Sequence, residues 1–298
     1  MLNFSEAYIL HVNDRIHLNE SDAVQLTNVL NGITGEEIFL EFFDGLKAVA
    51  MIHGLRLDIK GEVQYDFLFI QEGEVYHYEI KNYQGQLEEC NGLVKNQNGY
   101  TYKNIFQQFD RANVLLEQIL NEYRVESYIV FINPSCSIKT ERRDVLEYQD
   151  LKQRVEFHQA KKSTSHDFEL AKLLKSHHLH RSKYERILYY DFDQLLPGVK
   201  CPECMRFFED CYGGRDYVKC SYCHHKMRKQ ALIFETIKQV ELLKNDYYTA
   251  LEISKWSGIS KRTVHKVLNH YCDSFGSNRA TRYVLRDEFR PKIFNTIK

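Results

Sequence analysis

Proline is scarce in this 298-residue chain, four in all, and no repeat or low-complexity tract interrupts it, so no Pro-rich linker marks its domain borders. Nor does any apolar run approach the roughly 18 residues that a membrane-spanning helix needs, which excludes a helical membrane protein. The opening residues Met1-Leu2-Asn3-Phe4-Ser5-Glu6 lack a basic stretch followed by an apolar one, so the expectation is a cytoplasmic protein without a secretory leader. Net charge is nearly absent as well, at -1. Taken for the whole chain, that figure argues against a nucleic-acid binder, but the segments disagree with their average. Residues 1–138 carry 9 Lys and Arg against 20 Asp and Glu, a net of -11, whereas residues 199–298 carry 19 against 11, a net of +8.

What is present is ample apolar material, 43% of residues with 13% aromatic, which excludes disorder and fibre. At roughly 150 residues per domain the length suits about two domains. In a reducing compartment the eight cysteines are not expected to form disulfides, and five of them fall between Cys201 and Cys223, a clustering that points to metal.

The apolar spacing predicts helix from Ser21 to about Phe43, broken in the middle by Gly32 and Gly35, then strands at Ala48–His53, Tyr65–Ile70, Val75–Lys81 and Tyr128–Ile132. Phe106, Phe109, Leu116, Ile119, Leu120 and Tyr123 make one helical face that packs on such a sheet. This is an α/β domain to about Asn133. Helical spacing around Phe168–Leu179 and a strand-like Ile187–Tyr190, read as finishing the same sheet, are assigned to the first domain. The Pro197-Gly198 turn signal ends it, giving expected domains at 1–198, 199–230 and 231–298.

Within Gln64–Gln86, Glu72-Gly73 between two strand-like runs predicts a β-hairpin. Strand alternation sets Val75, His77, Glu79 and Lys81 on one face, and the hairpin brings Asp66 near Glu79. Two carboxylates facing one point suit a hard divalent cation such as Mg²⁺, and a lysine beside them suits phosphodiester hydrolysis. A solvated cross-strand ion pair is the competing reading, since Glu-x-Lys is a weak signal alone. Thr34 and Glu37 fit a capping box, which accounts for Glu37. Glu36 instead aligns with Phe39, Leu40 and Phe43 on the apolar stripe, where an unpaired carboxylate is costly. It reads as a third acid of the site, with a buried salt bridge to Lys81 as the alternative. His77 is read as a structural histidine on the Glu79 face.

Gly32-x-x-Gly35-Glu36, Asp66 on a strand, Tyr78-Glu79-Ile80-Lys81-Asn82-Tyr83-Gln84-Gly85, and Asn104-x-x-x-Gln108 opening a helix together resemble the nuclease-related domain (NERD) family of the PD-(D/E)xK nuclease superfamily. The resemblance covers about residues 30–133. It implies a restriction-endonuclease-like mixed sheet with flanking helices, Asp66 and Glu79 as ligands of Mg²⁺ or Mn²⁺, Lys81 as the catalytic lysine, Glu36 as an accessory acid and Gln108 as an active-site helix residue. Ile105 stands where the family usually has proline, and Tyr83 where tryptophan is more usual.

Cys201-Pro-Glu-Cys204 and Cys220-Ser-Tyr-Cys223 give C-x2-C-x15-C-x2-C. Each two-residue gap lets a knuckle aim both thiolates at one ion, and two knuckles close a tetrahedral Zn²⁺ site of structural kind. The pattern resembles a zinc ribbon with Gly213-Gly214 at a hairpin tip. Cys211 is read as non-ligating, His224 or His225 as the alternative to Cys223, and Cys90, Cys136 and Cys272 as small apolar residues.

Downstream, Thr249 leads a short helix carrying Leu251, Ile253 and Trp256, Gly258 turns the chain, and Ser260 caps a second helix with Val264, Val267 and Leu268 inside. The pattern resembles a bacterial helix-turn-helix, and Tyr283-Val284-Leu285 as a strand would make it winged. It places Lys261, Arg262, Thr263, His265 and Lys266 on the helix that meets double-stranded DNA, with Arg279, Arg282, Arg286, Arg290 and Lys292 extending the positive surface. Paired half-sites make a homodimer the geometric expectation. The sequence therefore reads as a metal-dependent nuclease. Its rivals are a DNA-binding regulator with an inactive nuclease-like domain and a protein-docking adaptor.

Overall fold

The computed structural model describes residues 2–102, 104–209 and 216–289, without the side chain of Arg279. Cys211, Gly213-Gly214, Arg290 and Lys292 lie outside the described residues. The chain divides into two compact units, residues 27–182 and residues 2–26 with 183–298. Both mix helices with sheet, and no helix among the described residues is long and apolar enough to cross a membrane.

Helix α1 (Phe4–Val12) starts at a capping box between Asn3 and Glu6. Helix α2 (Glu20–Phe43) is continuous, so the expected break at Gly32 and Gly35 does not occur, and Thr34 sits mid-helix rather than at a cap. The glycines have another use. A Cβ on Gly35 would lie 2.9 Å from Asn82 Cβ and 3.3 Å from Ile132 Cγ2, so its absence lets the helix backbone approach the sheet. Around Gly32 nothing lies within 4 Å of that position.

The first unit is built on β1 (Ala50–Asp58), β2 (Glu62–Gln71) and β3 (Glu74–Lys81), joined as antiparallel hairpins. At the expected turn, Glu72 and Gly73 have φ of 55° and 76°, the two left-handed residues of a type I′ turn. Next come β4 (Gly85–Cys90), β5 (Leu93–Asn96), β6 (Thr101–Tyr102), α3 (Ile105–Ile119), β7 (Arg124–Phe131), β8 (Cys136–Lys139) and β9 (Val145–Glu147). The main sheet runs β1-β2-β3-β7-β9, antiparallel as far as β3 and parallel beyond it, and a smaller sheet runs β6-β5-β4-β8. Helices α4 (Leu151–Gln159) and α5 (Ser165–Ser176) complete the unit. Phe39 and Phe43 of α2 pack with Leu151 of α4 on Phe67, Phe69 and Tyr78, one face of the main sheet. Ala112 and Leu116 of α3 and Leu170 and Leu174 of α5 cover Leu55, Leu68 and Val75 on the other. This is the expected mixed sheet with helices on both faces. The alternation of residues along β2 and β3 dictates it, because both faces are apolar.

In the second unit, β10 (Tyr217–Lys219), β11 (Lys226–Arg228), α6 (Lys229–Lys244), α7 (Ala250–Ser257), α8 (Lys261–Tyr271), β12 (Cys272–Phe275) and β13 (Arg282–Leu285) share one core with α1. Val199, Cys201 and Cys220 join Leu232, Ile237, Val264 and Leu268 in it, so the cysteine segment and the helices after it pack together rather than apart. Ile187–Tyr190 forms no strand. Its aromatics turn instead to this core: the Tyr190 amide donates to the Tyr8 hydroxyl at 2.8 Å, and Tyr189 meets Tyr8 edge-on. Residues 2–26 and 183–198, expected with the first domain, are thus grouped with the second unit.

Two substitutions separate the roles of the α2 glycines. Gly32→Ala is expected to stabilise the protein by about 0.5–1 kcal/mol through helix propensity. Gly35→Ala is expected to destabilise it by about 1–3 kcal/mol through overpacking. Urea unfolding followed by circular dichroism measures both, and equal effects would contradict the assignment.

Candidate active site and metal centre

The ladder between β2 and β3 ends at Phe67↔Tyr78, while β3 stays paired with β7 as far as Lys81↔Phe131. Beyond Phe67↔Tyr78 the Ile80 amide donates to Asp66 Oδ2 at 2.9 Å, where regular pairing with β2 would offer it a backbone carbonyl. The same point is irregular in β1. Gly54, opposite Asp66, has φ of 66° and takes no place in the register. Only glycine adopts that conformation cheaply, and it marks a kink within a strand. Its consequence shows in the neighbours: the Tyr65 hydroxyl donates to Ala112 O of α3, whereas Phe67, two residues on, packs against Phe39 of α2. The side-chain alternation of β2 therefore shifts at Asp66.

Glu79 and Lys81 share a face, as their spacing predicts, and Lys81 Nζ donates to Glu79 Oε1 at 2.7 Å. His77, on the same face, is fully buried, stacks on Phe109 of α3 and holds its Nε2 3.9 Å from Glu79 Oε2. Its Nδ1 lies 3.3 Å from Ser127 Oγ, which donates to Asn113 Oδ1. Burial pulls the imidazole down to about 4, so it is neutral near pH 7. The Asp66 carboxyl is pushed well above the usual carboxylate range by burial and then by the Glu79 charge, with Glu36 adding to the rise and Lys81 opposing it. Burial works to lower Lys81, but the carboxylates of Glu79 and Asp66 outweigh it and the ammonium is held protonated.

Glu36 lies on the inward side of α2, part-buried, and bonds His53 of β1 rather than Lys81. Burial works to raise its carboxyl, and the bond to His53 counters it, leaving the group below its usual range. His53 stacks on Phe67 at 4.5 Å and was not among the sequence candidates. Its signal was present, as the polar end of the strand-like run 48–53. Gln108 sits in the first turn of α3 with its side chain exposed, and no hydrogen bond joins that side chain to Asp66, Glu79 or Lys81. Asn104 precedes the helix in left-handed conformation, and its carbonyl accepts from the Gln108 amide.

The donor set suits a small hard cation. With Ile80 on Asp66 Oδ2 and Lys81 on Glu79 Oε1, each carboxylate keeps a second oxygen, and Mg²⁺ needs one or two carboxylates because it retains most of its waters. A cation there would also relieve the like-charge repulsion that raises Asp66. Glu36, Asp66 and Glu79 do not gather into one tight three-acid cage.

Residues 31–132 match the family model of the nuclease-related domain. The chain carries a nuclease-related domain. The match spans from within α2 to the residue after β7 and includes Glu36, Asp66, Glu79, Lys81 and Gln108. Comparison with curated proteins and with solved structures found no match.

Outside the nuclease-related domain, Cys201, Cys204, Cys220 and Cys223 bring their sulfurs within 4.8 Å of one another. Cys201 and Cys223 are 3.6 Å apart, as are Cys204 and Cys220. A tetrahedral ion with bonds of about 2.3 Å sets its sulfurs about 3.8 Å apart, so the cluster has the size of a four-thiolate metal site. The two halves repeat one geometry. The Cys201 amide donates to Arg206 O and that of Met205 to Cys201 O, and Cys220, His225 and His224 repeat the pair. Met205 and His224 both take left-handed conformations, φ 57° and 64°. His224 and His225 are not in the cluster, and the arrangement is compatible with a zinc ribbon.

Helix α7 begins at the Thr249–Glu252 capping box and ends at left-handed Gly258, and α8 follows Ser260. Ile253, Trp256, Val264, Val267 and Leu268 are buried, but Leu251 is 61% exposed, against expectation, because Ala250 takes the inward position. Ser260 occupies the cap position, yet its hydroxyl pairs with that of Thr263. Lys261, Arg262, His265 and Lys266 are exposed along α8. The β12–β13 hairpin follows directly, and Tyr283 contributes a hydroxyl to His265 Nδ1 at 3.2 Å. Arg286 is engaged with Asn269 O and His270 O at the end of α8 and with Asp273.

Elemental analysis of the purified chain is expected to find about one zinc per molecule. Cys204→Ser is expected to lose it and to expose the second unit to proteolysis; metal-free protein that resists proteolysis equally would contradict the assignment.

Proposed function

We propose that the chain is a divalent-metal-dependent nuclease that hydrolyses phosphodiester bonds, with DNA as its substrate. The observation that carries this reading is the convergence of Asp66, Glu79 and Lys81 where β2 and β3 part, within a nuclease-related domain. Asp66 and Glu79 would hold the cation, Mg²⁺ or Mn²⁺. When bound, it supplies positive charge to a phosphoryl oxygen and lowers the pKa of a bound water. Lys81, protonated and only part-buried, presents an ammonium to the scissile phosphate and offsets charge that grows on its oxygens during attack. Glu36, steadied by His53, acts as an accessory acid beside Asp66. Gln108, exposed at the start of α3, meets the substrate strand.

The second unit delivers this chemistry to DNA. Zn²⁺ at the four cysteines fixes a zinc ribbon, α7 and α8 form a winged helix-turn-helix, and Lys261, Arg262, Thr263, His265 and Lys266 face the duplex. Binding to paired half-sites makes the active form a homodimer. The acidic charge of the first segment attracts no polyanion, so the basic C-terminal segment supplies the electrostatic affinity.

Plasmid, linear and single-stranded DNA incubated with Mg²⁺ or Mn²⁺ are expected to show cleavage that EDTA abolishes, with RNA as the comparison that should be cut less. Lys81→Ala should lower the rate by about 10²–10³, and Asp66→Ala/Glu79→Ala should remove it. Cleavage that survives in the double variant sinks the assignment. Duplex binding should weaken steeply with salt, and Lys261→Ala/Arg262→Ala should reduce the slope of log K against log salt by about two.

A further inference from the structure

Beside Lys81 the first unit opens a pocket of about 640 Å³, within the size range of ligand sites. Asn28, Asn31, Lys81, Tyr83, Tyr100 and Tyr102 line it, and neither Asp66 nor Glu79 does. Tyr83 and Tyr102 stack at 4.3 Å, and Tyr100 meets Tyr102 edge-on at 5.0 Å. Tyr100 is 63% exposed at the mouth of the pocket, an aromatic ring left in water beside two others. Its backbone is fixed by a tight turn: Asn96 Oδ1 accepts from the amides of Asn98 and Tyr100, and the Asn96 amide donates to Tyr100 O. The floor is fixed as well, since Asn82 donates to Asn31 O and accepts from Asn133. The walls thus combine aromatic faces, side-chain amides and the ammonium of Lys81, held in place before any ligand arrives.

That chemistry matches an unpaired nucleobase and its phosphate. A base has a π-face for tyrosine and polar edges for asparagine, and the phosphate next to it pairs with the ammonium. A base stacked inside a duplex can offer neither face. We propose that this pocket binds an unpaired nucleobase of the strand being cut, stacked on Tyr100 and Tyr102, so that the enzyme acts where single-stranded nucleotides are available. The proposal rests on the nuclease reading for the cutting of that strand, but binding itself can be measured without cleavage.

The test uses the zinc-loaded full chain without Mg²⁺ or Mn²⁺ and a short single strand carrying 2-aminopurine, in deoxyribo and ribo forms, beside the same base paired in a blunt duplex. The expected result is fluorescence quenching with the single strand, in either sugar form, and none with the duplex. Tyr100→Ala/Tyr102→Ala should weaken single-strand binding about tenfold and remove the quench, while Tyr102→Phe keeps both. If circular dichroism shows the double variant unfolded, Tyr100→Ala, whose ring is exposed, is read instead and should weaken binding several-fold. Unchanged affinity and quenching in the folded variant, or equal quenching by the duplex, overturns the proposal. The Asp66→Ala/Glu79→Ala variant should retain the quench. Absence of cleavage by the unmodified chain in Mg²⁺ defeats the nuclease reading and leaves the binding result intact.

Discussion

Where β2 and β3 part, the amide of Ile80 donates to the carboxylate of Asp66, and the arrangement of the nuclease-related domain depends on that bond. It stands where one ladder ends while β3 continues along β7, so Glu79 and Lys81 lie on a strand still paired on one side and open on the other. An edge amide left without a carbonyl would cost on the order of 1–3 kcal/mol if buried unpaired. Satisfying it with Asp66 ties an acid to the strand that carries the other acid. Gly54 marks the matching irregularity in β1, and Gly35 lets α2 pack closely on the sheet, with Glu36 near enough to add to the rise of Asp66.

The electrostatics follow from that convergence. Burial with like-charged neighbours raises Asp66, and the carboxylates of Glu79 and Asp66 hold Lys81 protonated against its own burial. A cluster with excess acid and one ammonium is poised to take a cation, and the neutral, buried His77 adds no competing charge. The line Asn113–Ser127–His77 runs from α3 through β7 to within 3.9 Å of Glu79, so the helix and the central strands position that carboxylate together.

Much of this was legible in the sequence because the side-chain period of a strand is two. Glu79 and Lys81 had to share a face, and Glu72-Gly73 had to turn the chain so that Asp66 returned toward them. The cysteine spacing was equally direct, since a two-residue gap leaves few ways to place two sulfurs. The misreadings have physical causes. Gly32 and Gly35 look like helix breakers by propensity, but close packing on the sheet overrides propensity at Gly35. The small sheet of β4, β5, β6 and β8, which carries Tyr102, has strands of two to six residues, too short for periodicity to show. Ile187–Tyr190 is apolar enough for a strand, yet its aromatics are used to pack beside α1, a long-range preference that no local pattern encodes.

A divalent cation held by Asp66 and Glu79 is the claim on which the functional account turns. Titration of the zinc-loaded full chain with Mn²⁺, read by electron paramagnetic resonance, counts that ion directly and needs no substrate. The account predicts one Mn²⁺ site per chain that Mg²⁺ displaces and that both Asp66→Asn and Glu79→Gln lose. Binding that persists in both variants, or no specific site in the unmodified chain, would contradict it.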